Sequence, residues 1–531
     1  MKRAIVGFGV FVVTAGCGAA VPQQTPAAVP RATAATPPTG PAAHAALGER
    51  QDDARIWALP TGPRDSGPPV EPKAIRTDAW AKAAKVKGLP SAPASCALYG
   101  KPTPAKPTPT DLASVFAEKD PAKQTSKLAA FESKADVADT IRAMRAYLAP
   151  IECADTVTDP FLSSTSNVNG MAGQLTVGIS LASKLARTAA TPPVLKETSE
   201  KEKVKRFIQG PLRQWMVEQA SAIDALSTPA SELVGFARGV VAIEAGMADL
   251  RLVDRIRSAP TPRSWDAELK AVYEAALDEA LEPRKARGRD AALVGLADFA
   301  AAGIVYDART DRTRALLSKL YGGRRIDALD ALLLPPGEAK PVPNHEAALA
   351  LLPAEPAQRE WFAQMGLAAP KAAKVARERL ELGRRSWRRV DFVEAAHAAS
   401  AGAADDAKAD PAPRLVLALA LALAKGPASA KEMMTAPSPS ALGLSNTEAL
   451  DALAGERSPV AGMAAFDAAY LRSLCPPEGE AAGPYLADVA ARFRKAAGLL
   501  EDSAQKKRAE GLAADAEAAS KAATEPKPKS Q

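Results

Sequence analysis

Six apolar residues between positions 233 and 250 recur three or four positions apart, and this pattern constrains the fold more than any other feature of the chain. The six are Leu233, Phe236, Val240, Ile243, Met247 and Leu250. Such spacing keeps one stripe of a helix facing a partner helix, as in a bundle or a coiled-coil seam. The stripe therefore predicts a long helix that packs against other helices.

The composition indicates the same class of fold. Hydrophobic residues make up 47% of the chain and aromatic residues only 5%, so most of the apolar content is alanine and other aliphatic residues. Alanine and leucine favour helices, whereas β-branched and aromatic residues favour strands. The sequence predicts an all-α fold of helical hairpins, packed as a bundle or a solenoid.

Capping residues, prolines and glycines predict where several helices begin and end. Predicted starts are Thr110 or Asp111, Thr228 with Pro229, Ser264, and Thr310 or Asp311. Predicted ends are Pro260 with Pro262, and Gly322-Gly323. Leucine also recurs at every second position from Leu415 to Leu423, with alanine mostly between. A period of two is typical of a strand, but every residue here is apolar and alanine favours helices, so we expect a buried helix, with a strand as the alternative.

The first 17 residues have the order of a bacterial export signal. Lys2 and Arg3 precede the apolar run Ile5–Thr14, which is too short for the ~20 residues that span a bilayer. The run leads into Ala15-Gly16-Cys17, which resembles the lipobox of bacterial lipoproteins, where small residues precede a cysteine that is diacylated. The resemblance implies a signal peptide over residues 1–16 and a palmitate-type lipid on Cys17 that anchors the chain to a membrane.

The lipobox departs from its usual pattern at Thr14, where leucine is the rule. The departure leaves open ordinary cleavage near Ala19 or Ala20, which would release a soluble periplasmic product. Gly18 rather than aspartate follows the cysteine. The resemblance therefore implies the bacterial cell envelope, with the outer membrane favoured.

Residues 17–109 are rich in Ala, Pro and Thr and predict a flexible tether after the anchor. Such a stretch buries little apolar surface, and proline favours extended polyproline II. One short helix is predicted inside it, from Thr77 through Trp80 to a stop at Gly88. Beyond the tether we expect an all-helical domain over 110–345, helical hairpins over 346–523 and a disordered tail over 524–531.

The C-terminal half resembles degenerate tetratricopeptide repeats. One copy is carried by Leu382, Gly383, Phe392, Ala395 and Pro411, and a weaker copy by Phe466, Ala469 and Pro476. The resemblance implies helix pairs that must stack on their neighbours to close a core. Helical packing without true repeats is the alternative.

Few residues have the types and spacings that catalysis or metal binding requires. His345-Glu346 begins like a zinc-protease helix, but Leu349 stands where the second histidine ligand is needed. Glu394 and His397 have the spacing of one arm of a carboxylate-bridged metal site, and the sequence has no second arm. We therefore predict no catalytic residues, no metal and no cofactor, although a dispersed active site would leave no such signature.

The densest basic stretch contains Arg384, Arg385, Trp387, Arg388 and Arg389. One interpretation is an interaction surface for an anionic partner, with guanidinium groups stacked on the indole ring. The other places Trp387 in a buried stripe and the arginines in solvent. Elsewhere the 68 basic and 61 acidic residues are interleaved, which argues against a nucleic-acid partner despite the net charge of +7.

Lipidation of Cys17 would leave Cys96, Cys153 and Cys475 in an oxidising compartment. We expect a disulfide between Cys96 and Cys153, because both flank the first helical segment and the bond would join the end of the tether to the body. With three cysteines, one stays free or pairs with another chain.

These features predict a membrane-anchored helical adaptor or scaffold that binds another protein of the cell envelope. The alternative is an envelope enzyme, such as a cell-wall hydrolase, whose dispersed active site the sequence does not display.

Overall fold

The computed structural model describes residues 55–62, 64, 73–100, 115, 118–133, 138–196, 200–304, 307–335, 372–405 and 411–524. Over these residues the fold is all-α with helix packed on helix, which confirms the predicted fold class. Two short strands, Ile75–Arg76 (β1) and Asn167–Val168 (β2), pair antiparallel. The predicted signal peptide, Cys17, the His345 motif and the tail beyond residue 524 lie outside the described residues.

Two groups of helices follow one another along the chain. The first group is α1 (Asp78–Ala83), α2 (Ala97–Gly100), α3 (Pro121–Ala129), α4 (Ala138–Leu148), α5 (Asp155–Leu162), α6 (Gly170–Arg187), α7 (Lys201–Phe207), α8 (Arg213–Ser227), α9 (Gly235–Arg257), α10 (Ala267–Ala301) and α11 (Ala308–Leu320). The second is α12 (Ala372–Ser386), α13 (Arg389–Asp405), α14 (Ala412–Ala424), α15 (Ala430–Thr435), α16 (Glu448–Ala454), α17 (Ala461–Ser473), α18 (Ala482–Leu499) and α19 (Ser503–Thr524).

Helices α9 and α10 form the most extensive pair and cross with backbone against backbone. Gly239 and Gly246 on α9 face Gly288 and Gly295 on α10, and the two glycines of each helix are seven positions apart. A Cβ atom at Gly246 would lie 2.6 Å from the backbone nitrogen of Ala292. The glycines are therefore needed for the close approach of the two helices.

Five of the six residues of the predicted apolar stripe lie on α9, and Leu233 precedes this helix because it begins later than its capping residues predict. Residues Thr228–Glu232 form a separate 3₁₀ turn, and the chain is extended at Val234. Gly235 then adopts a φ of +52°, and the side-chain oxygen of Gln174 accepts the Val234 amide at 3.1 Å. This tertiary contact and the left-handed glycine separate the turn from the helix.

Asp266 and Asp307 cap the next two helices, in place of the predicted Ser264 and the predicted Thr310 or Asp311. Asp266 accepts the Leu269 amide at 2.8 Å to start α10, and Asp307 accepts the Arg309 amide at 2.6 Å to start α11. The first turns of α10 extend beyond the body, and Val272 is 62% exposed.

The second group is a series in which each long helix packs on its neighbours. Helix α14 is buried from Leu415 to Ala424, which confirms the buried helix predicted from the leucine pattern. In the α12–α13 hairpin, Gly383 packs against the Phe392 ring, since a Cβ atom there would lie 2.5 Å from the ring carbon Cε1. The tetratricopeptide resemblance of this half stays a prediction.

Part of the stretch predicted as a tether belongs to the folded body. The predicted short helix is present as α1, although the Thr77 hydroxyl donates to the Thr165 carbonyl at 2.7 Å instead of capping it. Trp57 and Trp80 are buried, with 3% and 4% of their surface exposed. The prediction of a flexible tether therefore does not hold for residues 55–62 and 73–100.

Candidate functional site

Trp387 of the predicted basic cluster lies in the core and not on a surface. It is 1% exposed, and its Nε1 donates to the carbonyl oxygen of Ile326 at 2.7 Å. Its φ of +55° ends α12, where its amide donates to the carbonyl of Gly383 at 2.7 Å. The interpretation that placed Trp387 in a buried stripe describes it correctly.

The four arginines of the cluster are held by acceptors within the protein and not by solvent. Two of them donate to main-chain carbonyl oxygens: Arg384 Nε to Leu329 at 3.0 Å and Arg389 Nε to Gly426 at 3.1 Å. The other two form ion pairs, Arg385 with Asp311 and Arg388 with Asp391 at 3.4 Å. Because Asp311 lies on α11 and Arg388 Nη1 also donates to the Ala297 carbonyl oxygen on α10 at 3.4 Å, the cluster joins the two groups. These internal contacts argue against an anion-binding surface at this position.

A buried polar network, which the sequence analysis did not single out, lies between α5 and α6. Ser180, Ser183, Lys184 and Arg187 share one face of α6 at spacings of three and four residues. Their main contacts are Lys184 Nζ to Asp159 Oδ2 at 2.6 Å, Lys184 Nζ to Ser180 Oγ at 3.1 Å, and Arg187 Nη2 to Asp155 Oδ2 at 2.7 Å. The sequence feature that could have indicated this network is the polar stripe on an otherwise apolar helix.

A serine beside a lysine amine is also an arrangement of nucleophilic catalysis. Here Ser180 has 0% exposure, accepts from Trp80 Nε1 at 2.8 Å and donates to Asp159 at 2.6 Å. Lys184 is 3% exposed. A substrate in solvent therefore cannot reach the Ser180 hydroxyl. The hydrogen bond from Trp80 instead joins residues 73–100 to α6.

The two carboxylates of the network have opposite pKa shifts. Burial disfavours the charge of Asp155, but hydrogen bonds from Arg187 and the charge of Lys184 outweigh it and lower the Asp155 pKa. At Asp159 burial outweighs the same lysine and raises the pKa. The network therefore favours the charged form at Asp155 and disfavours it at Asp159.

The described residues contain three cysteines, of which two form a disulfide and one has a free thiol. Cys96 and Cys153 form a disulfide, with Cα atoms 4.9 Å apart and a sequence separation of 57 residues. Cys475 has a free thiol that is 3% exposed, and burial raises its pKa. Cys17 lies outside the described residues.

The described residues contain no cluster of three or more His, Cys, Asp or Glu side chains that could hold a metal ion. Glu394 and His397, the pair with the spacing of a metal-site arm, contact Arg64 and Pro60 instead. A shallow surface depression beside α7 is lined by apolar and cationic residues, namely Leu195, Phe207, Pro211, Lys196, Lys203 and Arg206. Its lining includes no carboxylate or histidine.

Residues 55–62 and Arg64, which we call the docked segment, lie along α13 and reach the start of α14. His397 Nε2 is 3.2 Å from the carbonyl oxygen of Pro60, and Glu394 pairs with Arg64 Nε at 3.2 Å. The Arg414 guanidinium lies 5.8 Å from the centre of the Trp57 ring. These contacts join residues more than 300 positions apart in the sequence.

The electrostatics of this face favour a neutral histidine between two charged groups. Burial and then the charge of Arg64 lower the pKa of His397, and they outweigh the hydrogen bond with the Pro60 carbonyl and the charge of Glu394, which raise it. A neutral ring that donates through Nε2 satisfies the Pro60 carbonyl, while its buried Nδ1 has no partner among the described residues. The docked segment is thus held by one main-chain contact, one ion pair and a buried indole ring.

Comparison with protein-family models, with curated proteins and with solved structures found no match to this chain. Within the described part of the chain, none of the helices has both the length and the apolar character needed to cross a membrane.

Proposed function

We propose that this protein is a lipid-anchored helical adaptor of the bacterial cell envelope, which binds another envelope protein. The observation that carries the proposal is the docked segment, since stacked helices here bind a non-helical stretch of polypeptide supplied by a remote part of the chain. Helix pairs that bind one such stretch offer the contacts that a partner protein would use. The anchor is proposed at Cys17, from its resemblance to a lipobox.

An envelope enzyme is the alternative that the sequence left open. The Ser180–Lys184 pair does not support it, because both side chains are buried and already hydrogen-bonded. The depression beside α7 lacks the converging acid and base groups that hydrolysis requires.

Crosslinking in intact cells, followed by affinity purification and mass spectrometry, tests the adaptor. The native chain is compared with Cys17→Ser, which cannot be lipidated. Cys475→Ser is the matched control, because it makes the same substitution at a buried cysteine away from the N-terminus.

We expect a stoichiometric envelope partner with the native chain and with Cys475→Ser, and its loss with Cys17→Ser. Recovery of no partner with any of the three chains would contradict the adaptor. A mature N-terminus at Ala20 or later, without lipid mass, would contradict the anchor alone.

A further inference from the structure

We infer that the face of α13 that carries Val393, Glu394 and His397, together with Arg414 of α14, is a peptide-docking surface whose intramolecular ligand is the docked segment. Its external ligand is a non-helical segment of a partner protein with the same chemistry, a large aromatic residue followed by an aliphatic residue and proline, with a basic residue downstream. The inference rests on the proposed adaptor function and names the class of partner. The docked segment then competes with that partner for one surface.

The first component of recognition is contact with the main chain. His397 approaches the carbonyl oxygen of Pro60 at 3.2 Å, and a Cβ atom at Gly62 would lie 3.3 Å from Val393 Cγ2. Proline fixes its own φ, and the missing Cβ atom of the glycine two positions later lets the segment lie close to the helix. This part of the surface therefore recognises the path of the main chain more than the identity of the side chains.

The second component is a set of two side-chain contacts. Trp57 is 3% exposed and lies against the Arg414 guanidinium, an arrangement that favours an electron-rich ring. Glu394 pairs with Arg64 seven positions after the tryptophan. These two contacts select an aromatic residue and a basic residue at this separation.

The docked segment is suited to exchange because much of it faces solvent. Arg55, Ala58, Thr61 and Arg64 are exposed, and Ile56 and Leu59 are only partly buried. A ligand in the same chain acts at an effective concentration in the millimolar range, so a modest intrinsic affinity keeps the surface occupied. A partner that binds must overcome this occupancy, and the docked segment therefore weakens its apparent affinity.

Fluorescence anisotropy with the full-length chain tests the inference. A labelled peptide of residues 53–66 is titrated with the wild-type chain and with Trp57→Ala, in which the intramolecular ligand is weakened. We expect the peptide to bind Trp57→Ala at least ~10-fold more tightly than the wild type, because the surface is then open. Arg64→Glu is the second variant, since its side chain is 41% exposed and its replacement removes no core packing.

A charge swap establishes where the peptide binds. Glu394→Arg in the Trp57→Ala chain should weaken binding at least ~5-fold, and a peptide carrying Arg64→Glu should recover it. Glu274→Arg, at an exposed glutamate on α10, is the matched control and should leave binding unchanged. Equal peptide affinity for the wild type and both opened variants, or binding that ignores Glu394→Arg, would overturn the inference.

The peptide-binding result can be distinguished from the result of the crosslinking experiment in cells. Peptide binding that follows the charge swap supports the docking surface even where crosslinking recovers no partner, in which case the adaptor function fails alone. A recovered partner together with a peptide that does not bind the opened chain overturns the docking surface and leaves the adaptor standing.

Discussion

Replacing Gly246 with alanine tests whether α9 and α10 depend on direct backbone contact. The new Cβ atom would lie 2.6 Å from both the Ala292 nitrogen and the Gly288 carbonyl oxygen. Carbon contacts are optimal near 3.5–4.0 Å, so the two helices must separate by about 1 Å. Since the atoms in the way belong to the backbone, a rotamer change cannot relieve the clash.

The magnitude follows from the packing that this separation disturbs. Ile243 and Leu250, which flank Gly246 on α9, both have 0% exposure. A buried side chain of this size makes about 40–60 contacts of roughly 0.15 kcal/mol each, and a gap of about 1 Å forfeits up to half of every contact that it affects. If about a third of the contacts face α10, the loss is about 2–3 kcal/mol. Alanine returns about 1 kcal/mol of helix propensity, so the net destabilisation is about 2 kcal/mol.

Gly511→Ala on α19 is the matched control, because nothing lies within 4 Å of the Cβ position there. It should stabilise the protein by about 0.5–1 kcal/mol through helix propensity alone. Urea denaturation followed by far-UV circular dichroism measures the free energy of unfolding of both variants. Because a chain of this size can unfold in more than one step, hydrogen exchange in peptides of α9 shows whether the loss of stability lies in that helix. If Gly246→Ala is as stable as Gly511→Ala, the argument from backbone contact is refuted.

Three further predictions concern the cysteines and the docked segment. Non-reducing peptide mapping should recover Cys96 linked to Cys153, and replacing both with serine should lower the free energy of unfolding by about 2–4 kcal/mol because the bond closes a long loop; two free thiols in the native protein would contradict this. Cys475 should react with iodoacetamide far more slowly in the folded protein than in urea, since burial limits access and raises its pKa; equal rates would count against its burial. The docked state lowers the pKa of His397 below the ordinary 6.5, so the released state binds more protons and docking should weaken as the pH falls through that value. The Kd of the peptide for Trp57→Ala should therefore rise as the pH falls from about 7.5 to about 5.5. If the Kd rises equally when His397→Gln is added to this variant, a group other than His397 titrates.

The helical class and much of the core could be predicted because both depend on local periodicity. The stripe on α9 and the leucines of α14 carry their own signal, since burial along a helix repeats with the helix itself. The starts of α9 and α10 could not be placed by the same means. Several residues near each start can cap a helix, and the tertiary contact of Gln174 with Val234 decides between them at α9.

The sequence alone determined that this chain folds into packed helices and predicted which two cysteines pair. Only the tertiary structure decided that the arginines of the basic cluster turn inward and that the docked segment lies on α13. The physical reason is the same in both cases. Arg384, Arg389 and His397 contact main-chain carbonyl oxygens, which every residue type possesses, so neither the spacing nor the identity of the partner residues marks these contacts in the sequence.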